Sequence, residues 1–156
     1  MNDQKFEIRF AKEKDARPIS ELILKAVEGL EDKSYTEEQL SKWKKISSRE
    51  AVEERLKKEK IFCAFDGENM VGTIGLEGHE IVAFYINPID RKFGIGGLLI
   101  SVVEDYALNH DITQLKIVSI PSAVSYYQKK GYTFVKDVLT VVDGITYEEM
   151  EMQKIL

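Results

Sequence analysis

The stretch Ile81-Val82-Ala83-Phe84-Tyr85-Ile86-Asn87-Pro88-Ile89-Asp90-Arg91-Lys92-Phe93-Gly94-Ile95-Gly96-Gly97-Leu98 decides how the chain is read. Its apolar opening reads as a strand, Asn87-Pro88 ends that strand, and a glycine-rich loop leads into a helix expected to begin near Leu98. Glycines permit backbone conformations and close approaches that a Cβ forbids, so several N–H groups can converge on one point. The helix start adds its own unpaired N–H groups and the positive end of its dipole. Loop and helix start together make an anion site, read here as one that holds the pyrophosphate of a cofactor.

Outward from that stretch, the chain alternates strands and helices. Downstream, Leu99, Ile100, Val102, Val103, Tyr106 and Ala107 make the helix apolar around much of its surface, so it should pack closely on a sheet. Gln114–Ile120 is the next strand and, with a helix between, is expected parallel to the strand ending at Ile86. Pro121-Ser122 opens a short helix stopping at Gly131, and strands over Thr133–Val142 and Ile145–Lys154 flank the turn pair Asp143-Gly144.

Upstream, Phe6–Phe10 alternates as a half-buried strand, and Asp15 is expected to cap a helix carrying Ile19, Leu22, Ile23, Ala26, Val27 and Leu30. Glu31-Asp32-Lys33-Ser34 reads as a polar connection. Thr36-Glu37-Glu38-Gln39 is a capping box, and Ser47-Ser48-Arg49-Glu50 a second helix start, so Tyr35–Lys60 holds two short helices or one broken one. Ile61–Phe65 and Met70–Leu76 flank Asp66-Gly67-Glu68-Asn69 as a hairpin, and Gly78 turns the chain into the strand before the loop. The expected class is α/β (α+β), one domain over residues 1–156, with a mixed central β-sheet flanked by helices.

The 156 residues carry a net charge of -5, with 44% hydrophobic and 31% charged residues, as in ordinary globular proteins. The acidic balance disfavours nucleic acid, whose phosphates need clustered Lys and Arg. No apolar run approaches the roughly 20 residues of a membrane span, and Met1–Lys5 lacks a signal-peptide core. With one cysteine, Cys63, and two histidines, neither an internal disulfide nor a metal site is expected. The cytoplasm is the default compartment, with no membrane partner. Cys63 reads as a small core residue within a strand.

Three phosphate-binding loops compete. A Walker loop needs Lys-Ser or Lys-Thr after the glycines, which is absent. A dinucleotide loop needs Gly-x-Gly-x-x-Gly, and Leu99 stands where the third glycine belongs. The third pattern, Arg/Gln-x-x-Gly-x-Gly/Ala, is present as Arg91-Lys92-Phe93-Gly94-Ile95-Gly96. Ala123-Val124-Ser125-Tyr126-Tyr127-Gln128-Lys129-Lys130-Gly131-Tyr132 follows about 30 residues later, and Ile8-Arg9-Phe10-Ala11, Asp15 and Asn87-Pro88 sit in fitting places. On these residues the chain resembles the GNAT superfamily of acyl-CoA-dependent N-acyltransferases over nearly its whole length.

The resemblance implies acetyl-CoA as cosubstrate and an amine, on a small molecule or a peptide, as acceptor. It implies that N–H groups of Arg91, Lys92, Phe93, Gly94, Ile95, Gly96 and Gly97 bind the pyrophosphate. The strand before the loop would splay from Gln114–Ile120, and the backbone of Tyr85 and Ile86 would pair with the pantetheine. Homodimers are common in the family, so a homodimer is carried as an expectation. Tyr127 falls on the family's tyrosine and is the general-acid candidate for the departing thiolate; the plainer reading is ring packing at the helix surface. Tyr126 is expected to face elsewhere and pack.

Glu80 is the base candidate. It lies eleven residues ahead of Arg91, the spacing of the glutamate base in histone-type members, while many members relay the proton through water. Regular alternation would place Glu80 with Val82 and Phe84, and Ile81 with Ala83 and Tyr85. His79 reads as a turn residue. One departure stands out: where members often carry asparagine, this chain has Ile120, leaving Ser119 or Ser122 to supply a polar contact. Tyr35, Gln39 and Trp43 recur at helical spacing in the region that covers the acceptor side in the family. Two other readings stay open, a non-catalytic acyl-CoA sensor and a binder of another phosphorylated ligand.

Overall fold

The computed structural model describes residues 6–30 and 35–156; the expected connection Glu31–Ser34 and the segment Met1–Lys5 lie outside the described residues. Strand β1 (Glu7–Phe10) leads into helix α1 (Ala16–Glu28), followed by α2 (Glu37–Lys45) and α3 (Arg49–Leu56). Then come β2 (Lys60–Asp66), β3 (Asn69–Glu77), β4 (Glu80–Ile86), α4 (Ile95–Asn109), β5 (Gln114–Ser119), α5 (Val124–Lys129), β6 (Thr133–Val142) and β7 (Ile145–Ile155). Short 3₁₀ turns precede α1, α4 and α5.

All seven strands form one sheet in the order β1-β2-β3-β4-β5-β7-β6. As expected from the intervening helix, β4 and β5 are parallel. The other neighbours are antiparallel, and the hairpins β2–β3, β3–β4 and β6–β7 turn at Gly67, Gly78 and Asp143-Gly144, all with positive φ.

Each face of the sheet buries its own core. On one side α4 inserts Ile95, Leu99, Ile100, Val103 and Ala107 against Phe62, Ile74, Leu115 and Met152. On the other, Ala16, Ile19, Ile23 and Val27 of α1 and Val52 of α3 pack on Ile61, Cys63 and Ala83. Truncating a fully buried member such as Leu99 to alanine costs about 2–5 kcal/mol.

The region after Tyr35 resolves into two helices. Thr36 and Gln39 make the reciprocal capping box read from the sequence, and the Ser48 hydroxyl accepts from Ala51 N–H at 3.2 Å to start α3. Asp15 departs from expectation. Its carboxylate makes no cap on α1 and instead accepts from Arg9 Nη1 at 2.7 Å, Arg9 Nη2 at 3.1 Å and Lys12 N–H at 2.7 Å. A charged partner outcompetes a neutral cap, and the Arg9 guanidinium draws the Asp15 pKa below its usual value. Among the described residues no helix is long and apolar enough to cross a membrane.

Candidate active site

The sheet opens between its two parallel strands. β4 and β5 pair only at Glu80 with Lys116 and Ile81 with Ile117, and Lys116 N–H donates to the His79 carbonyl at 2.9 Å. Beyond Ile81 the strands diverge. The β4 edge from Val82 to Ile86 faces a cleft of about 1280 Å³, with Val118 and Ser119 on the opposite wall.

A bulge in β4 shapes that wall. Ala83 has φ 49, the register shifts between Thr73 and Gly75, and the buried Thr73 hydroxyl donates to the Ala83 carbonyl at 2.8 Å. A left-handed alanine costs roughly 1–2 kcal/mol, and here strand pairing on both sides of the bulge and this hydrogen bond hold it. The extra residue breaks the alternation expected along β4. Val82 faces Gly75 and Ile61 on the α1 side, as do Ala83 and Tyr85, while Ile81, Phe84 and Ile86 lie on the α4 side.

One end of the cleft is the loop. After the 3₁₀ turn Pro88–Phe93, Gly94 takes φ 75 and α4 begins at Ile95, earlier than the expected Leu98. No side chain caps this helix, and Leu98 is the first residue whose N–H returns to a carbonyl, that of Gly94 at 3.2 Å. The N–H groups of Ile95, Gly96 and Gly97 therefore remain for a ligand. Arg91, Gly94, Gly96 and Gly97 line the cleft, whereas Lys92 lies over the Phe93 ring, Phe93 packs on the core, and Ile95 is fully buried. Phe93 and Ile95 can thus offer a ligand backbone only, while the exposed Lys92 side chain lies outside the cleft lining.

The second motif meets the first here. Tyr126, expected to pack elsewhere, lines the cleft, with its hydroxyl 2.6 Å from where a Cβ on Gly96 would stand. Gly96 is needed for this close approach. Lys130 Nζ lies 3.0 Å from the corresponding point on Gly97 and over the Tyr126 ring, so it adds a second cation beside Arg91. Sequence reasoning missed Lys130; its signal was a cation three residues after Tyr127, at the C-cap of α5.

Tyr127 sits in the wall, 9% exposed, held by the rings of Phe84, Tyr126 and Tyr132 at centroid distances of 6.2, 5.5 and 6.1 Å. Burial, reinforced by the neighbouring Tyr126, Tyr132 and Tyr85, drives its pKa well above the ordinary tyrosine value. The phenol stays protonated at neutral pH and can donate. At the Ile120 departure, Ser119 Oγ is committed to the Ile120 carbonyl at 2.7 Å, leaving the exposed Ser122 on the cleft wall.

The opposite end is built from side chains. Ala26, Val27 and Leu30 of the α1 segment, Trp43 of α2, Tyr85 of β4 and Glu149 of β7 line it. Trp43 Nε1–H donates to the Tyr85 hydroxyl at 3.0 Å, and Tyr35 packs edge-on against Trp43. Gln39 does not line the cleft; its side chain donates to Thr146 O, while its carbonyl accepts from Tyr147 OH, docking α2 on the last hairpin.

Glu80 lies where β4 and β5 are still paired, 3.4 Å from Lys116 Nζ and outside the cleft lining. His79 is exposed in its turn, and Cys63 is fully buried with its thiol pushed up to about 12 by desolvation. Glu149 escaped the sequence reading: burial raises its pKa, a hydrogen bond from Thr140 opposes this, and the Glu80 charge adds to it.

A parallel pair splayed over an uncapped helix start, with a buried phenol in its wall, makes up the candidate site. The chain belongs to the acetyltransferase (GNAT) domain family, which it matches over residues 31–154. It superimposes on a GCN5-related N-acetyltransferase from Rhodopseudomonas palustris with TM-score 0.92 and 22% identity, covering 100% of this chain and 99% of that one. The PaiA N-acetyltransferase of Thermoplasma acidophilum, in complex with coenzyme A, gives 0.81 and 19% over 97% and 99%. A spermidine N-acetyltransferase chimera from Vibrio cholerae and hSSAT gives 0.69 and 19% over 96% and 95%. Comparison with functionally curated protein sequences gives no match. The fold is the single-domain GNAT fold, and membership places the chain among acyltransferases.

Proposed function

We propose that this protein moves the acetyl group of acetyl-CoA directly to an amine. One observation carries the reading: the unpaired β4 edge runs straight to the uncapped first turn of α4, with Tyr127 in the wall between. The coenzyme A bound in the Thermoplasma structure and the amine named for the spermidine enzyme support it by analogy.

The residues present fit acetyl-CoA, which would supply the activated acyl carbon as a thioester. The free N–H groups of Ile95, Gly96 and Gly97, with Arg91 and Lys130, suit a pyrophosphate. The β4 edge at Tyr85 and Ile86 offers backbone partners to an amide-bearing arm, and backbone N–H at the Ala83 bulge suits the developing oxyanion.

An alkyl amine, with reference pKa near ~10.4, must first give up a proton. Its nitrogen then forms the C–N bond as the C–S bond breaks, the electron pair leaving with sulfur. Tyr127 donates its proton to that sulfur and is reprotonated from solvent, and the nitrogen loses its second proton, so one proton is released per ammonium consumed. For the base, the candidates are Glu80 and a water relay; the Lys116 pairing of Glu80 outside the cleft favours water.

A thermal shift tests the cofactor. Acetyl-CoA at 100 times its Kd adds about 2.7 kcal/mol, roughly 5–10 °C for a chain of this size. No shift at millimolar acetyl-CoA overturns the reading. A shift without CoA thiol release across a broad amine panel turns it into an acyl-CoA sensor.

A further inference from the structure

We infer that Glu149 receives the ammonium group of the acceptor, and that the acceptor is a primary amine on an apolar or aromatic body that carries no carboxylate. The inference rests on the acetyl-transfer reading and names the substrate class for that site.

Register places the side chain. Tyr147 and Glu151 bracket Glu149 on one face of β7: Tyr147 OH reaches Gln39 O of α2 at 2.7 Å, and Glu151 lies 3.5 Å from Lys116. Glu149 therefore shares the α2 side of the sheet with Trp43 and Tyr85. Along the other axis, β5 ends at Ser119 opposite Met150, so Glu149 is the first β7 residue beyond the end of β5. That is the open mouth of the cleft. Glu80 lies at its closed vertex, where β4 and β5 still pair.

Charge separates the three carboxylates on this face. Lys116 serves both Glu80 and Glu151, at 3.4 and 3.5 Å. Among the described residues no lysine or arginine pairs with Glu149, although it lines the cleft and burial already disfavours its charge. The remaining cations of this end are taken: Lys42 by Asp143, Lys44 by Glu28, and Arg55, behind the Tyr85 hydroxyl, by Glu59. An arriving ammonium would find an ion-pair partner and the rings of Trp43 and Tyr85. A carboxylate on the same ligand would find repulsion from Glu149 and, among the described residues, no lysine or arginine lining this end of the cleft. Ala26, Val27 and Leu30 leave an apolar wall for the body of the ligand.

The chain has a single tryptophan, Trp43, so tryptophan emission, excited apart from the seven tyrosines, reports on this end. Acetyl-CoA is first titrated into the protein by calorimetry; protein saturated with CoA is then titrated with 2-phenylethylamine and with phenylalanine by tryptophan fluorescence, followed by acetyl-CoA turnover with each. The amine should bind at least about tenfold more tightly than the amino acid and should be the one acetylated. Glu149→Gln should weaken amine binding by about ten- to a hundredfold and leave acetyl-CoA affinity within about twofold, with Glu149→Asp between the two. Equal binding of amine and amino acid, or unchanged amine binding in a folded Glu149→Gln, overturns the inference and leaves acetyl transfer standing. Failure of wild type in the first titration overturns acetyl transfer itself and this inference with it.

Discussion

The two ends of the cleft are made of different material. The loop end is largely backbone: a β4 edge with no partner, a left-handed Gly94 and the bare first turn of α4, all from one continuous stretch, joined by Arg91 and Lys130. The far end is side chains drawn from α1, α2, β4 and β7, docked by Trp43 on Tyr85 and Tyr147 on α2. A backbone cradle binds whatever carries the right group and tolerates change elsewhere. A side-chain pocket is set by a few atoms, so one substitution can redirect it. Mutations at the two ends should therefore separate cleanly, with Tyr127 at the junction.

At that junction lies the largest expected effect. Tyr127→Phe removes the proton donor but keeps the ring contacts with Phe84, Tyr126 and Tyr132. Single-turnover rates should fall about 10²–10³-fold while acetyl-CoA affinity stays within about twofold. An unchanged single-turnover rate would remove Tyr127 from the acid role and leave it a packing residue.

Next come the loop-end cations. Arg91→Ala and Lys130→Ala should each weaken acetyl-CoA binding by about tenfold, with little change in the KM of the amine. Both sit at the mouth, so the differences should shrink at high salt. A change in amine KM of the same size would mean that the two ends are not independent.

This division explains what could be read in advance. The glycine loop was legible because Gly94, Gly96 and Arg91 are neighbours in sequence and their chemistry is local. The parallel pairing of β4 and β5 followed from the helix between them. The bulge at Ala83 was not readable from hydropathy alone, because an alanine at φ 49 is imposed by the register with β3 and the Thr73 hydrogen bond. Glu80 fitted a spacing, yet its neighbour across the sheet, Lys116, is far away in sequence and claims it. Glu149 has no local signal: it looks like one more charge in Glu148-Glu149, and only the end of β5 at Ser119 gives it meaning.

A smaller effect is expected at Trp43. Trp43→Phe loses the Nε1–H bond to Tyr85, about 1 kcal/mol or roughly 2–4 °C in Tm. The KM of the amine should rise about three- to tenfold with acetyl-CoA affinity unchanged. A loss of acetyl-CoA affinity instead would show that Trp43 supports the cofactor end.

The smallest effect bears most directly on what Glu149 is for. Burial holds its carboxyl above the ordinary glutamate value, so between the two values the folded state binds more protons than the unfolded state. Stability therefore falls as pH rises through that window and stays lowered at neutral pH. Glu80 adds to the unfavourable field and the Thr140 hydrogen bond opposes it, Lys116 is shared between Glu80 and Glu151, and the Tyr85 and Tyr147 hydroxyls remain neutral there. Glu149→Gln should accordingly raise Tm by about 1–3 °C at pH 7 and leave it unchanged below the ordinary glutamate pKa, where both side chains are neutral. With CoA and a saturating amine the order should reverse, because only the wild type gains the ion pair. A carboxylate that weakens the free protein and strengthens the amine complex is placed for a ligand. One that strengthens the free protein is placed for the fold, and a fall in Tm at pH 7 would put Glu149 there.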